Sequence, residues 1–116
     1  MPGYGRKLYV IVNTTKIKVR PEHRKELCQT IASLLKPIRS EAGCLNYAFY
    51  QDAGDENSFI LVGEWKSEAD WNAYLETDDF AVLLGTISVL SSRADTEFTL
   101  LAPVARQDLI SKLRMQ

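Results

Sequence analysis

From Tyr9 to Val19 the chain alternates. Tyr9, Ile11, Asn13, Thr15, Ile17 and Val19 fall on one side, while the positions between them turn polar at Thr14, Lys16 and Lys18. A period of two predicts a strand with one covered face. The period then lengthens. Pro21 suits a first helical position, where its missing N–H would have no partner, and Leu27, Ile31, Leu34, Leu35 and Ile38 recur behind it at helical spacing. Pro37 predicts a bend or an end in the last turns, and Gly43 can take the left-handed conformation that closes the helix. Cys44 to Gln51 alternates Leu45, Tyr47 and Phe49 against Asn46, Ala48 and Tyr50. Phe59 to Lys66 follows across a run rich in Asp, Gly and Asn, which predicts a hairpin with a polar loop. Ser67 is placed to cap a short helix carrying Trp71, Tyr74 and Leu75, with Asp70 in a capping-box-like position. Thr77 can cap another, along which Phe80, Leu83, Leu84, Ile87 and Leu90 form an apolar stripe around Gly85. Thr96 to Leu101 reads as a last strand ended by Pro103, and Leu109, Ile110 and Leu113 give the tail a weak helical pattern.

Strand, helix, hairpin, helix pair, strand is the order of an α+β fold. It predicts a ferredoxin-like βαββαβ sandwich in which helices cover one face of a four-stranded antiparallel sheet. We expect a single domain over 1–116, with its core at about 8–102 and a C-terminal tail over 103–116. The helices leave one face bare, yet the second and third strands are apolar on both sides, with Phe59, Leu61 and Trp65 opposing Ile60 and Val62. Exposed apolar area of that kind marks an interface, so a homodimer through the helix-free sheet face is expected.

Composition removes alternatives. Fourteen basic against fifteen acidic residues leave a net charge of −1, without the basic stripe that nucleic acid or an anionic membrane would need. The early apolar run Leu8 to Val12 is too short for a signal-peptide core, and no later run approaches the roughly 20 apolar residues of a spanning helix. A cytoplasmic location is expected. Cys28 and Cys44 lack CxxC spacing and read as reduced structural thiols. His23 is the only histidine and reads as a surface residue at a helix start, so no metal site is expected. There is no phosphate loop, GxSxG elbow or nucleotide fingerprint, and we expect no cofactor.

The stretch Gly43-Cys44-Leu45-Asn46-Tyr47-Ala48-Phe49-Tyr50, followed by Phe59-Ile60-Leu61-Val62-Gly63-Glu64-Trp65-Lys66-Ser67-Glu68-Ala69, resembles the antibiotic biosynthesis monooxygenase family. The likeness runs from about Tyr9 to Leu101. It implies a dimeric α/β barrel in which each subunit encloses a cavity between sheet and helices. It also implies activities that range from cofactor-independent oxygenation of phenols and quinols to haem degradation. Where the family commonly carries two histidines this sequence has Tyr74 and Asp79, and where it carries a glutamate before the tryptophan it has Gly63. The haem-degrading branch relies on a helix histidine that is missing after Phe80, so haem is not expected to bind.

Three residues are candidates for catalysis. Asn13 interrupts an apolar strand face, and a buried amide needs a partner, either backbone or a ligand oxygen. The resemblance gives an asparagine on or near this strand a polar role in the cavity. Trp65 offers one N–H and a flat face for an aromatic ligand, or simply packs under the helices. Tyr74 can donate a hydrogen bond or proton, or belong to the core beside Trp71 and Leu75. Tyr47, Tyr50, Asp79 and Phe80 are the candidate substrate-binding residues, although the helix dipole alone would explain Asp79. The resulting expectation is a cofactor-independent monooxygenase of a small aromatic, quinol-type substrate. The alternative is a non-catalytic module that binds a small ligand on the same dimeric fold.

Overall fold

A computed structural model describes the backbone of residues 9–105 and the side chains of residues 10–91. Strand β1 (Tyr9–Val19) leads through a 3₁₀ turn (Pro21–His23) into α1 (Arg24–Arg39). Then come β2 (Cys44–Asp52), β3 (Asp55–Trp65), α2 (Glu68–Leu75), α3 (Asp78–Leu90) and β4 (Ser91–Ala105). The strands pair antiparallel in the order β2-β3-β1-β4, and the helices pack on one face of the sheet, a ferredoxin-like α+β arrangement.

Alternation decides which side chains meet the helices. Ile11, Ile17 and Val19 of β1 and Phe59, Leu61 and Trp65 of β3 join Leu27, Ile31, Leu34 and Ile38 of α1 and Leu83, Ile87 and Leu90 of α3 in one buried core. Both predicted caps form. The Ser67 hydroxyl accepts from the Asp70 N–H at 3.1 Å and donates to Asp70 Oδ2 at 2.9 Å, while the Thr77 hydroxyl accepts from the Phe80 N–H at 3.2 Å and donates to the Tyr74 carbonyl at 2.7 Å. Each supplies a partner to an N–H that the first helical turn leaves over.

Of four expectations, the left-handed conformation of Gly43 is met and the other three are corrected. The helix does not end at Pro37: it runs on to Arg39, because a proline in the last turn removes one backbone bond while the fully buried Ile38 anchors that turn to the core. Gly43 takes φ +80° beyond the helix end, where it turns the chain into β2, and a Cβ there would collide with the Asp70 side chain. The polar run before Phe59 is strand, not loop. Asp52 pairs with Asp55 across Ala53 and Gly54, and Asp55 satisfies the Asn57 N–H at 2.9 Å and the Ser58 hydroxyl at 2.8 Å. Finally, β4 starts directly at Ser91 and continues through Pro103. A proline is tolerated there because β4 is an edge strand and its register against β1 shifts between Val10 and Val12. The expected helical pattern of the tail at Leu109, Ile110 and Leu113 lies outside the described residues.

Candidate active site

Two rows of residues across the sheet set the geometry. Asn13 on β1 lies opposite Gly63 on β3, which lies opposite Tyr47 on β2; one step along, Ile11 faces Trp65 and Trp65 faces Cys44. All point toward the helices, because residues two apart on a strand share a face. Leu45 drops out of this pattern. The register shifts between Cys44 and Asn46, and Leu45 is left exposed as the extra residue.

The short helix α2 closes the site from above. Its Ser67 cap fixes where the helix begins, and Trp71 and Tyr74, one turn apart, then face down onto the sheet. Tyr74 stacks on Trp65 with ring centroids 4.5 Å apart at 22°, and meets Tyr47 edge-on at 6.2 Å. Trp71 packs against Trp65 at 6.1 Å, and the half-buried Phe80 of α3 meets Tyr74 at 5.2 Å. Trp65 is 0%, Tyr74 2%, Tyr47 3% and Asn13 9% exposed. The structure therefore brings Asn13, Trp65, Tyr74, Tyr47 and Phe80 into one region of the covered face.

Two of the nominated residues stand apart. Tyr50 is 54% exposed and pairs with Ile60 on the helix-free face, since an odd step of three from Tyr47 turns a side chain to the other side of a strand. Asp79 is half-buried in the first turn of α3, and its negative charge adds to the forces that hold the Tyr74 proton in place. His23, expected at the surface, is half-buried in the 3₁₀ turn.

The chemistry of the cluster is that of neutral donors in an apolar setting. The Tyr47 and Tyr74 hydroxyls share a bond of 3.4 Å. Burial pushes Tyr47 up to about 12, and burial together with the neighbouring Tyr47 pushes Tyr74 higher still. Both phenols keep their protons at neutral pH and serve as donors rather than bases. The Trp65 indole N–H is buried and has no hydrogen-bond partner among the described residues. Leaving such a donor unpaired costs about 1–3 kcal/mol, which makes it a place where a ligand oxygen gains most. The flat ligand expected to stack on Trp65 meets competition, because Tyr74 already occupies one indole face.

Gly63 and Trp71 were not nominated from sequence. A Cβ on Gly63 would lie 3.0 Å from Trp65 Nε1 and 3.2 Å from Tyr47 Cδ2, so its bare backbone is part of the site. The signal was its position two residues before Trp65, on the same face. Among the described residues no group of three or more His, Cys, Asp or Glu gathers to hold a metal ion, and no helix is long and apolar enough to cross a membrane.

Residues 10–83 match the antibiotic biosynthesis monooxygenase family, a span that includes every residue of this cluster. The chain belongs to that family. It is 37% identical over 71 residues to the Bacillus subtilis protein YcnE, an alignment that covers 61% of this chain and 75% of YcnE. It is 34% identical over 70 residues to the Synechocystis protein sll1783, covering 60% of this chain and 48% of that protein, so the matched part spans about half of that relative's length. Among solved structures it is similar to PA3566 from Pseudomonas aeruginosa, with TM-score 0.74 and 25% identity, over 87% of this chain and 100% of the other.

Proposed function

We propose that the protein is a cofactor-independent monooxygenase of a small hydroxylated aromatic, bound between sheet and helices in each half of a cytoplasmic homodimer. Family membership supports the reaction class. The observation that carries the reading is the convergence of Asn13, Tyr47, Trp65 and Tyr74 on the covered face, with one buried donor left unpaired. In such a reaction the phenol, once ionised, passes an electron to dioxygen. One oxygen atom is inserted at a ring carbon and the other leaves as water, taking up the hydrogens lost as phenol becomes quinone. The protein contributes orientation, exclusion of water and hydrogen bonds to the anion. Asn13, Trp65 and Tyr74 are the donors we assign to that task, with Tyr47 holding Tyr74.

The dimer rests on the other face. Val12, Thr14, Ala48, Ile60 and Val62 are half-buried and Tyr50 exposed there, and pairing two such faces about a two-fold axis would close both sheets.

The reading without chemistry has one observation in its favour. With both phenols held in their protonated form, the cluster offers no base of its own. Oxygen uptake with a panel of dihydroxynaphthalenes and hydroquinones decides between the two. We expect uptake above the uncatalysed rate, lowered roughly a hundredfold in Asn13→Ala and Trp65→Phe, as is typical for losing one donor to a developing oxyanion, and unchanged in His23→Ala. No uptake above background with any member of the panel would leave the binding module as the better account.

A further inference from the structure

We infer that the solvent side of α3 is a second self-association surface, through which two copies of the chain pair reversibly about a two-fold axis with their α3 helices antiparallel. It lies on the helix layer, away from the open sheet face assigned to the dimer above, and does not rest on that reading.

From Phe80 to Ser92 no residue is charged. A helix that is apolar all round is normally buried all round. This one buries a single side, with Leu83, Ile87 and Leu90 in the core. Its other side stays in solvent, where Val89 is 78% and Val82 49% exposed. The neighbouring helix is built differently, since the exposed positions of α1 include Lys25, Glu26 and Lys36. Between the two helices runs an open groove of about 260 Å³, lined by Glu26 and Thr30 of α1 and by Gly85, Thr86, Val89 and Leu90 of α3. It is widened at Gly85, where an added Cβ would meet nothing within 4 Å. Exposed aliphatic side chains flanking an open groove mark a contact surface.

Pattern and charge both point to a second copy as the occupant. Val82 and Val89 stand equally far on either side of the step from Gly85 to Thr86. A two-fold axis through that step sets Val82 of each copy against Val89 of the other, at the mouth of the groove. The two ends of the stripe carry opposite signs. Asp78 is exposed at the helix start, in line with Val82 and Val89 at helical spacing. Arg20 is exposed beside the helix end, because Val19 pairs with Ser91, where α3 gives way to β4. Antiparallel helices bring Asp78 of one copy toward Arg20 of the other, whereas parallel helices would set like beside like. The patch is one helix wide, small against the roughly 800 Å² per partner of a standard stable interface, so the pairing is weak and shows at high protein concentration.

Sedimentation equilibrium of the full chain at low salt, from about 10 μM to about 1 mM, reads an affinity in that range. We expect the weight-average mass of the parent to climb with concentration above its value at the dilute end, and that of Val89→Lys to stay flat. Arg20→Asp and Asp78→Arg should each weaken the association roughly threefold or more, since each sets like charges together twice per axis. The two combined should return it to within about twofold of the parent, as a restored pair does. A parent mass that stays flat leaves α3 to a different partner or to the chain's own C-terminal residues, and overturns the inference. A rise that survives Val89→Lys overturns it as well, and so does a combined variant that associates no better than either single one. All three substituted residues are exposed, so the fold is retained and circular dichroism checks it. In a Val62→Asp background, loss of the sheet-face pairing lowers the dilute-end mass to one chain of 13.1 kDa and leaves the rise in place, so failure of the dimer reading and failure of this one are seen separately.

Discussion

Alternate residues of the same three strands build two faces of opposite character. On the covered face, the row Asn13, Gly63, Tyr47 buries polar groups, and a glycine closely packed against Trp65 and Tyr47, where apolar side chains would be expected. On the open face, the rows Thr14, Val62, Ala48 and Lys16, Ile60, Tyr50 leave apolar surface within reach of water. Each face departs from what stability of a lone chain would favour, and in opposite directions. Polar atoms inside suit a ligand, and apolar atoms outside suit a partner.

The sharpest way to separate the faces is to remove one large side chain from each. Trp65→Ala empties the centre of the aromatic cluster, and a fully buried tryptophan lost to alanine costs about 3–5 kcal/mol. Urea denaturation should show that loss, and a loss below about 1 kcal/mol would mean the cluster is not packed as described. Val62→Asp instead puts a charge in the middle of the open face, between Thr14 and Ala48, where the proposed dimer would have to bury it. We expect sedimentation to change from twice the 13.1 kDa chain mass to one chain, with the helical circular dichroism retained. A parent protein that already sediments as a single chain at micromolar concentration removes the assembly role of this face.

Features decided by neighbours in sequence were legible in advance. Ser67 and Thr77 cap their helices because the N–H groups they satisfy are three residues away. The period of two in β1 named Asn13 as the polar intruder on the covered side, and the odd step from Tyr47 to Tyr50 implied opposite faces. Features decided by distant contacts were not legible. The stacking of Tyr74 on Trp65, which removes an indole face from use, depends on how α2 is laid over β3. The Asp-rich run after Gln51 looked like loop, because alternation cannot show that Asp55 will bind its own neighbours and leave the backbone free to pair. Pro37 looked like a stop because the burial of Ile38 that outweighs it is tertiary.

A titration tests the covered face without mutation. Tyr47 ionises near 12 in the folded protein, against about 10 in an unfolded chain, so the folded state holds the proton more tightly. That contribution is fully present below pH 10 and is lost as the pH rises toward 12, where unfolding releases the proton. The sign is fixed: stability falls with rising alkalinity, by an amount on the order of 2 kcal/mol across the window. Urea midpoints between pH 8 and 11.5 should fall for the parent and fall less for Tyr47→Phe. Equal slopes in both would show that the Tyr47 hydroxyl is not buried.

The smallest expected effect compares the two faces most directly, because one substitution can be made on the same strand at two sites. Tyr47→Phe removes a hydroxyl whose partner, the Tyr74 hydroxyl at 3.4 Å, belongs to a residue that is itself only 2% exposed. Removing one member of a buried pair strands the other, and about 1 kcal/mol is the typical loss. Tyr50→Phe removes a hydroxyl from a residue that is 54% exposed, where water replaces whatever the group was bonded to. Its effect on folding should lie within about 0.5 kcal/mol of zero, as for most surface changes. The double variant should show the two losses adding, since the side chains lie on opposite sides of the strand and share no partner. Tyr74→Phe on top of Tyr47→Phe should cost less than either change alone on the covered face, because the pair is then removed whole and no donor is stranded. Equal losses for Tyr47→Phe and Tyr50→Phe would mean that the covered face is as wet as the open one, and the case for a buried site would fall with it.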